Sequence, residues 1–158
     1  MKLFHKIKIS VFVKPEDIQE NPLIDEKIKE CIFKILPIGK NELEKNKITL
    51  ETEKVEGFNN RNILIHHITL EKEAHTNAFM EKLLKRLNTD QKELLSRQLE
   101  SRLDEEQNFY IRLGKKELLR DDYYITETGD CFHIKMTVAA FPKKREASIK
   151  VLEEIFKS

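Results

Sequence analysis

Residues 3–13, LFHKIKISVFV, carry the reading that decides the fold. Leu3, Ile7, Ile9, Val11 and Val13 stand on odd positions, the period of a strand with one buried face. The even positions, Lys2, Phe4, Lys6, Lys8, Ser10, Phe12 and Lys14, then point the other way. Such a strand is half-buried, and one of its faces stays open.

Working outward, Asn21-Pro22 supplies a cap and a first-turn proline. The helix it opens runs to about Leu36, with Ile24, Ile28, Cys31, Ile32 and Ile35 on one side, and Pro37 and Gly39 stop it. Ile48 to Val55 alternates as a second strand. The turn-rich stretch Gly57-Phe58-Asn59-Asn60-Arg61-Asn62 reads as a hairpin loop leading into a third strand, Ile63 to Leu70. That strand is apolar on both faces, as a central or doubly covered strand would be. Two helices are expected over Ala74–Leu87 and from Thr89 to about Leu103, with Leu94, Leu95, Leu99 and Leu103 striping the second. Asn108 to Leu113 forms a strand with Phe109, Ile111 and Leu113 inward. A polar segment, Gly114 to Asp122, follows. Tyr123–Thr126 and Cys131–Ala140 read as a hairpin closed near Thr128-Gly129-Asp130, and Pro142 opens a last helix with Val151, Leu152, Ile155 and Phe156 inward.

The order β-α-β-β-α-α-β-β-β-α lacks the regular βαβ alternation of a parallel sheet. It predicts an α+β fold of two layers, a mostly antiparallel sheet with helices packed on one face. At 158 residues the chain fits one domain, residues 1–158, with enough buried surface to need no staples. The four glycines and four prolines exclude linker-like or collagen-like architecture. No apolar run approaches membrane-spanning length, and the first residues lack a signal peptide's continuous apolar core. Together these predict a cytoplasmic protein without a membrane partner.

Positive and negative charges nearly cancel, at +1, so recognition of a polyanion has to come from local patches. The open strand face offers one. Residues 1–14 hold four lysines and no acid. On the same parity, Tyr110 and Arg112 point outward from the fourth strand, and His133, Lys135 and Thr137 from the last. With these strands in one sheet, Lys6, Lys8, Tyr110, Arg112, His133 and Lys135 share a face where ammonium groups meet phosphates and rings stack on bases. A second basic set comprises Lys115, Lys116 and Arg120, together with Lys143, Lys144 and Arg145 in the expected first turn of the last helix. Cations there oppose the helix dipole but suit an anion-binding corner. Glu51 and Glu53 keep the second strand off any RNA track.

Catalytic and metal constellations do not emerge. The sequence holds no G-x-S-x-G, phosphate-binding glycine loop or H-E-x-x-H. Cys31 and Cys131 lie a hundred residues apart, with no C-x-x-C between them. His66 and His67 are strand neighbours and face opposite ways. Neither a metal nor a cofactor is expected, and no catalytic residue is nominated. A competing reading is a protein-interaction or homodimerisation module, because Ile63, Ile65 and His67 would face outward from the third strand.

Four stretches, taken in order, resemble the archaeal family of predicted exosome-associated RNA-binding proteins. They are Ile9–Asp17, Val55–Ile63, Phe109-Tyr110-Ile111-Arg112-Leu113 with Lys115, and Ala139-Ala140-Phe141-Pro142-Lys143-Lys144-Arg145-Glu146. The loop at Asn59–Asn62 departs from the family pattern in lacking a second glycine. The resemblance implies a fold like that of the ribosomal protein that binds 5S RNA. It also implies RNA as partner, with exosome subunits as further candidates, and an accessory role in RNA processing or to the exosome, which the lack of a catalytic constellation makes a non-enzymatic one. It further implies RNA contacts at Arg112, Lys115, Lys143, Lys144 and Arg145. Lys6, Lys8, Tyr110 and Lys135 come from the face argument alone.

Overall fold

A computed structural model describes residues 1–157 (backbone only at Asn60). Five antiparallel strands form one sheet: β1 (Phe4–Val13), β2 (Glu51–Glu56), β3 (Asn62–Leu70), β4 (Asn108–Gly114) and β5 (Cys131–Val138), in the order β2-β3-β1-β5-β4. The helices are α1 (Pro15–Glu20), α2 (Ile24–Ile35), α3 (Lys40–Lys45), α4 (Glu73–Arg86), α5 (Thr89–Arg97), α6 (Leu99–Arg102), α7 (Lys115–Leu119) and α8 (Arg145–Lys157). The α+β class and the antiparallel sheet are as the alternation predicted.

The core lies between the sheet and the helices. Ile7, Ile9, Val11 and Val13 of β1 are fully buried beside Ile111 of β4 and Ile134 and Met136 of β5. Phe79, Met80 and Leu83 of α4 and Leu152, Ile155 and Phe156 of α8 close over them. Phe109 stacks on Phe156 with ring centroids 5.6 Å apart, joining β4 to α8.

Local chemistry explains several boundaries. Asn88 caps α5 by accepting the Gln91 N–H at 2.8 Å. Pro15 opens α1, and the Asp17 carboxylate accepts the Lys14 N–H at 2.9 Å. Asn21 ends α1 rather than capping α2: its Oδ1 accepts the Leu23 N–H in the turn between them, and α2 begins only at Ile24, with Leu23 at its N-cap. The expected long helix over 89–103 breaks at Gln98 into α5 and α6.

Three expectations are corrected. Phe4 is fully buried, not outward, because a register shift between Phe4 and Lys6 turns the strand and leaves His5 exposed. Tyr123–Thr126 does not form a hairpin with β5. It runs along the other edge of β4, where Ile125 bridges Leu113 and the Thr126 N–H donates to the Arg112 carbonyl. The last helix starts at Arg145 rather than Pro142, so Lys143 and Lys144 precede it.

Candidate nucleic-acid interface

The strand register places the outward residues of β1, β5 and β4 in rows across the open face. Lys6, Thr137 and Asn108 form one row, Lys8, Lys135 and Tyr110 the next, and Ser10, His133 and Arg112 the third. Lys143, from the segment before α8, joins Lys6, Lys8 and Lys135 around one shallow hollow, with Asn108 and Thr137 in its floor and Glu106 on its wall. Two lysines from the first strand thus meet two from the last quarter of the chain around one hollow, the Lys6 ammonium also pairing with Glu71 at 3.7 Å. Asn108 is buried and accepts the Thr137 hydroxyl at 2.7 Å, which fixes the floor.

Beside the hollow, the Tyr110 ring leans on His133 with centroids 5.3 Å apart and planes at 43°. The Tyr110 hydroxyl donates to Asp104 at 2.8 Å. Burial and then the Asp104 carboxylate push the phenol's pKa up to about 12, so it stays a neutral donor. Burial works against the Asp104 charge, but hydrogen bonds from Asn108, Tyr110 and the Glu106 N–H outweigh it and hold the carboxyl below its ordinary range. Burial first, then the charges of Arg112 and Lys135, lowers the His133 pKa, so its imidazole is neutral near pH 7. Arg112 is exposed and anchored through a hydrogen bond to the Glu127 carbonyl at 3.0 Å.

Six of the nine nominated residues therefore share the face or its rim: Lys6, Lys8, Tyr110, Arg112, Lys135 and Lys143. Lys144 is exposed just beyond the hollow's lining. Two nominations are corrected. Lys115 is only 5% exposed; its ammonium donates to the Phe12 carbonyl at 2.7 Å and pairs with Asp130 at 3.1 Å and Asp17 at 3.5 Å. It ties β1, α1 and the approach to β5 together and is not presented to a ligand. Arg145 turns away from the hollow to bind the carbonyls of Glu100 and Leu103 and the Glu100 carboxylate, pinning α8 to the end of α6.

Sequence reasoning missed Arg102, whose side chain is 9% exposed beneath the face. It donates to the Tyr110 carbonyl, Gln98 and Glu127, and so supports the strand that carries Tyr110 and Arg112. Nothing in its local pattern separates it from a solvated helix-end arginine.

The opposite margin of the sheet is acidic. Glu51 and Glu53 of β2 lie 3.5 Å and 3.2 Å from His67 Nε2. His66, on the other side of β3, is fully buried between Thr52 at 2.7 Å and Asp25 at 2.6 Å. The two adjacent histidines thus diverge, and among the described residues no three His, Cys, Asp or Glu side chains cluster as metal ligands. No described helix is long and apolar enough to cross a membrane.

The model of the family described as RNA binding matches residues 6–139. The chain belongs to that family. RNA-binding protein PAB1135 of Pyrococcus abyssi (strain GE5 / Orsay) is 27% identical over 150 residues, which span 95% of this chain and 92% of that protein. Two solved structures share the fold. Protein AF2318 of Archaeglobus fulgidus has a TM-score of 0.78 and 23% identity, covering 96% of this chain and 99% of its own. Mth689 of Methanothermobacter thermautotrophicus has a TM-score of 0.72 and 25% identity, covering 98% of each chain. The RNA-binding family match runs from Lys6 to Ala139 and so takes in the three rows of the open face, while Lys143 lies outside it.

Proposed function

We propose that this member of the RNA-binding family is a non-enzymatic module that grips RNA across the open face of β1, β5 and β4. Lys6, Lys8, Lys135, Lys143 and Arg112 would neutralise phosphates, and the Tyr110–His133 pair would receive a base. The observation that carries the reading is the hollow itself. Four lysines drawn from β1, β5 and the segment before α8 surround it, although the whole chain is nearly neutral. Charge placed in that way raises the local concentration of a polyanion without a net basic excess. Recognition of this kind depends on backbone contacts and stacking rather than base-edge reading. Each stacked base contributes about 1–3 kcal/mol. Lys144 would add a further, weaker phosphate contact at the rim.

The finer role, an accessory to RNA processing working beside exosome subunits in the cytoplasm, is supported by the family resemblance of the four sequence stretches. The likeness to the 5S-RNA-binding ribosomal protein belongs to the same proposal.

Fluorescence anisotropy of a labelled single-stranded RNA, repeated across salt concentrations, tests the reading. Five cations on phosphates predict a log–log salt slope of about −3.5. A flat salt dependence, or no binding at low salt, overturns it. Loss of intact RNA on incubation with Mg²⁺ overturns the non-enzymatic part.

A further inference from the structure

We propose that the β2 edge is a docking site for an extended, basic segment of a partner protein, added to the sheet as a sixth strand. This inference does not rest on RNA binding. β2 pairs only with β3, so its outer edge has no strand beside it among the described residues. All six of its residues are exposed. Edge strands of monomeric proteins commonly use charge to repel such pairing, and Glu51, Glu53, Lys54 and Glu56 fit that use. The neighbouring side chains do not. On the open face Val55 stands opposite Ile63, and Ile65 stands between Glu53 and Phe12. Phe12 is 42%, Val55 43% and, in the loop just beyond, Phe58 93% exposed. A solvated edge gains nothing from an apolar corner of this kind, whereas a docking surface does.

Charge selects the occupant. On the open face β2 presents Glu51 and Glu53, each with its side chain more than half exposed, followed by Val55. A strand laid beside it would place its own alternate residues against those three. The complementary segment carries Lys or Arg at two successive alternate positions and an apolar residue at the third. RNA is repelled by the same acids. A second copy gains less: the antiparallel register that pairs the whole of β2 with itself sets Glu51 against Glu56 and Glu53 against Lys54, so repulsion offsets attraction, whereas a basic segment meets Glu51 and Glu53 with attraction alone. The acidic, apolar corner lies at the β2 edge and the basic hollow on β1 and β5, with Lys8 bordering both, since it also lines a groove with Glu51 and His67.

The test titrates the ¹⁵N-labelled full chain with a short peptide carrying lysine at two successive alternate positions and valine at the third, threonine between them, following amide resonances. The same peptide with glutamate in place of lysine, and the same peptide N-methylated at alternate residues, serve as controls. The expected result is saturable shifts at Glu51–Glu56, Ile63 and Ile65 with the first peptide only, and a loss of about tenfold in affinity for Glu53→Lys with unchanged RNA binding. Shifts confined to the Lys6–Lys143 hollow, no shifts, or equal binding of the N-methylated peptide overturn the proposal. A two-chain mass in sedimentation that Val55→Lys reduces to one chain makes the occupant a second copy, and also overturns it.

Discussion

Lys8 of β1 and Lys135 of β5 stand directly opposite one another across the sheet, both on its open face. Directly opposed like charges destabilise an antiparallel pair by roughly 0.2–1 kcal/mol. A fold selected only for stability would replace one of them. On the proposed RNA-binding reading, phosphate brought between them would turn the repulsion into attraction, and the pair would tie stability and binding together with opposite signs.

Lys135→Thr should therefore leave the melting temperature unchanged or raise it, while weakening RNA binding by roughly threefold to tenfold at low salt. The salt slope should become shallower by about 0.7. Thermal melts and anisotropy titrations on the same preparation check both halves. A variant that melts lower and binds as before would contradict the assignment.

Lys143 and Lys115 should separate binding from folding. Lys143→Ala should reduce RNA affinity with no change in unfolding free energy, because the side chain is exposed. Lys115→Met should do the reverse. It strips a buried donor from the Phe12 carbonyl and leaves Asp17 and Asp130 without their cation. Both acids keep some contact with solvent, so the cost should be about 1–3 kcal/mol, below that of a fully buried pair. Urea unfolding with RNA titration of the folded fraction distinguishes the two.

His133 should give the fold a pH-dependent term. In the unfolded chain its imidazole titrates near the ordinary value of 6.5; in the fold burial and then Arg112 and Lys135 hold it lower. Between those values the unfolded state binds more protons, so the contribution is complete above about pH 6.5 and is lost as pH falls through the lowered folded value. The stability difference between the native chain and His133→Gln should accordingly shift in favour of the variant from about pH 7 to about pH 5. Melts across that range measure it, and a difference that stays constant refutes the assignment.

Phe109→Ala should cost about 3–5 kcal/mol. The ring is fully buried and supports both the β4 backbone and Phe156 of α8. The variant that still folds should retain RNA binding, since Phe109 points away from the open face.

The period-two pattern exposed most of this architecture, and the reason is visible at Ile7, Ile9, Val11 and Val13: each is fully buried on the parity that the sequence announces. Where reading failed, the deciding interaction was remote or local geometry broke the period. The shift between Phe4 and Lys6 inverts Phe4, which no count of alternating residues detects. Lys115 looks like another member of a basic cluster until Asp17, almost a hundred residues earlier, folds against it. Arg145 likewise belongs to a basic triplet by sequence but to α6 by hydrogen bonding. The rows of the open face were legible because parity needs only one strand at a time. The contribution of Lys143 to the hollow was legible only as a cluster without an address, since the turn before α8 sets where it lands.

The central position of β1 shapes how the molecule can assemble. The earliest strand of the chain lies in the middle of the sheet, and its two neighbours come from residues 62–70 and 131–138. During synthesis Phe4–Val13 can zip to β3, itself paired with β2, but its other row of amides stays bare until β5 has been made. Such long sequence separations slow closure and leave an adhesive edge in the meantime. Lys6 and Lys8 put like charge beside that edge, which disfavours its pairing with a second copy in the interval.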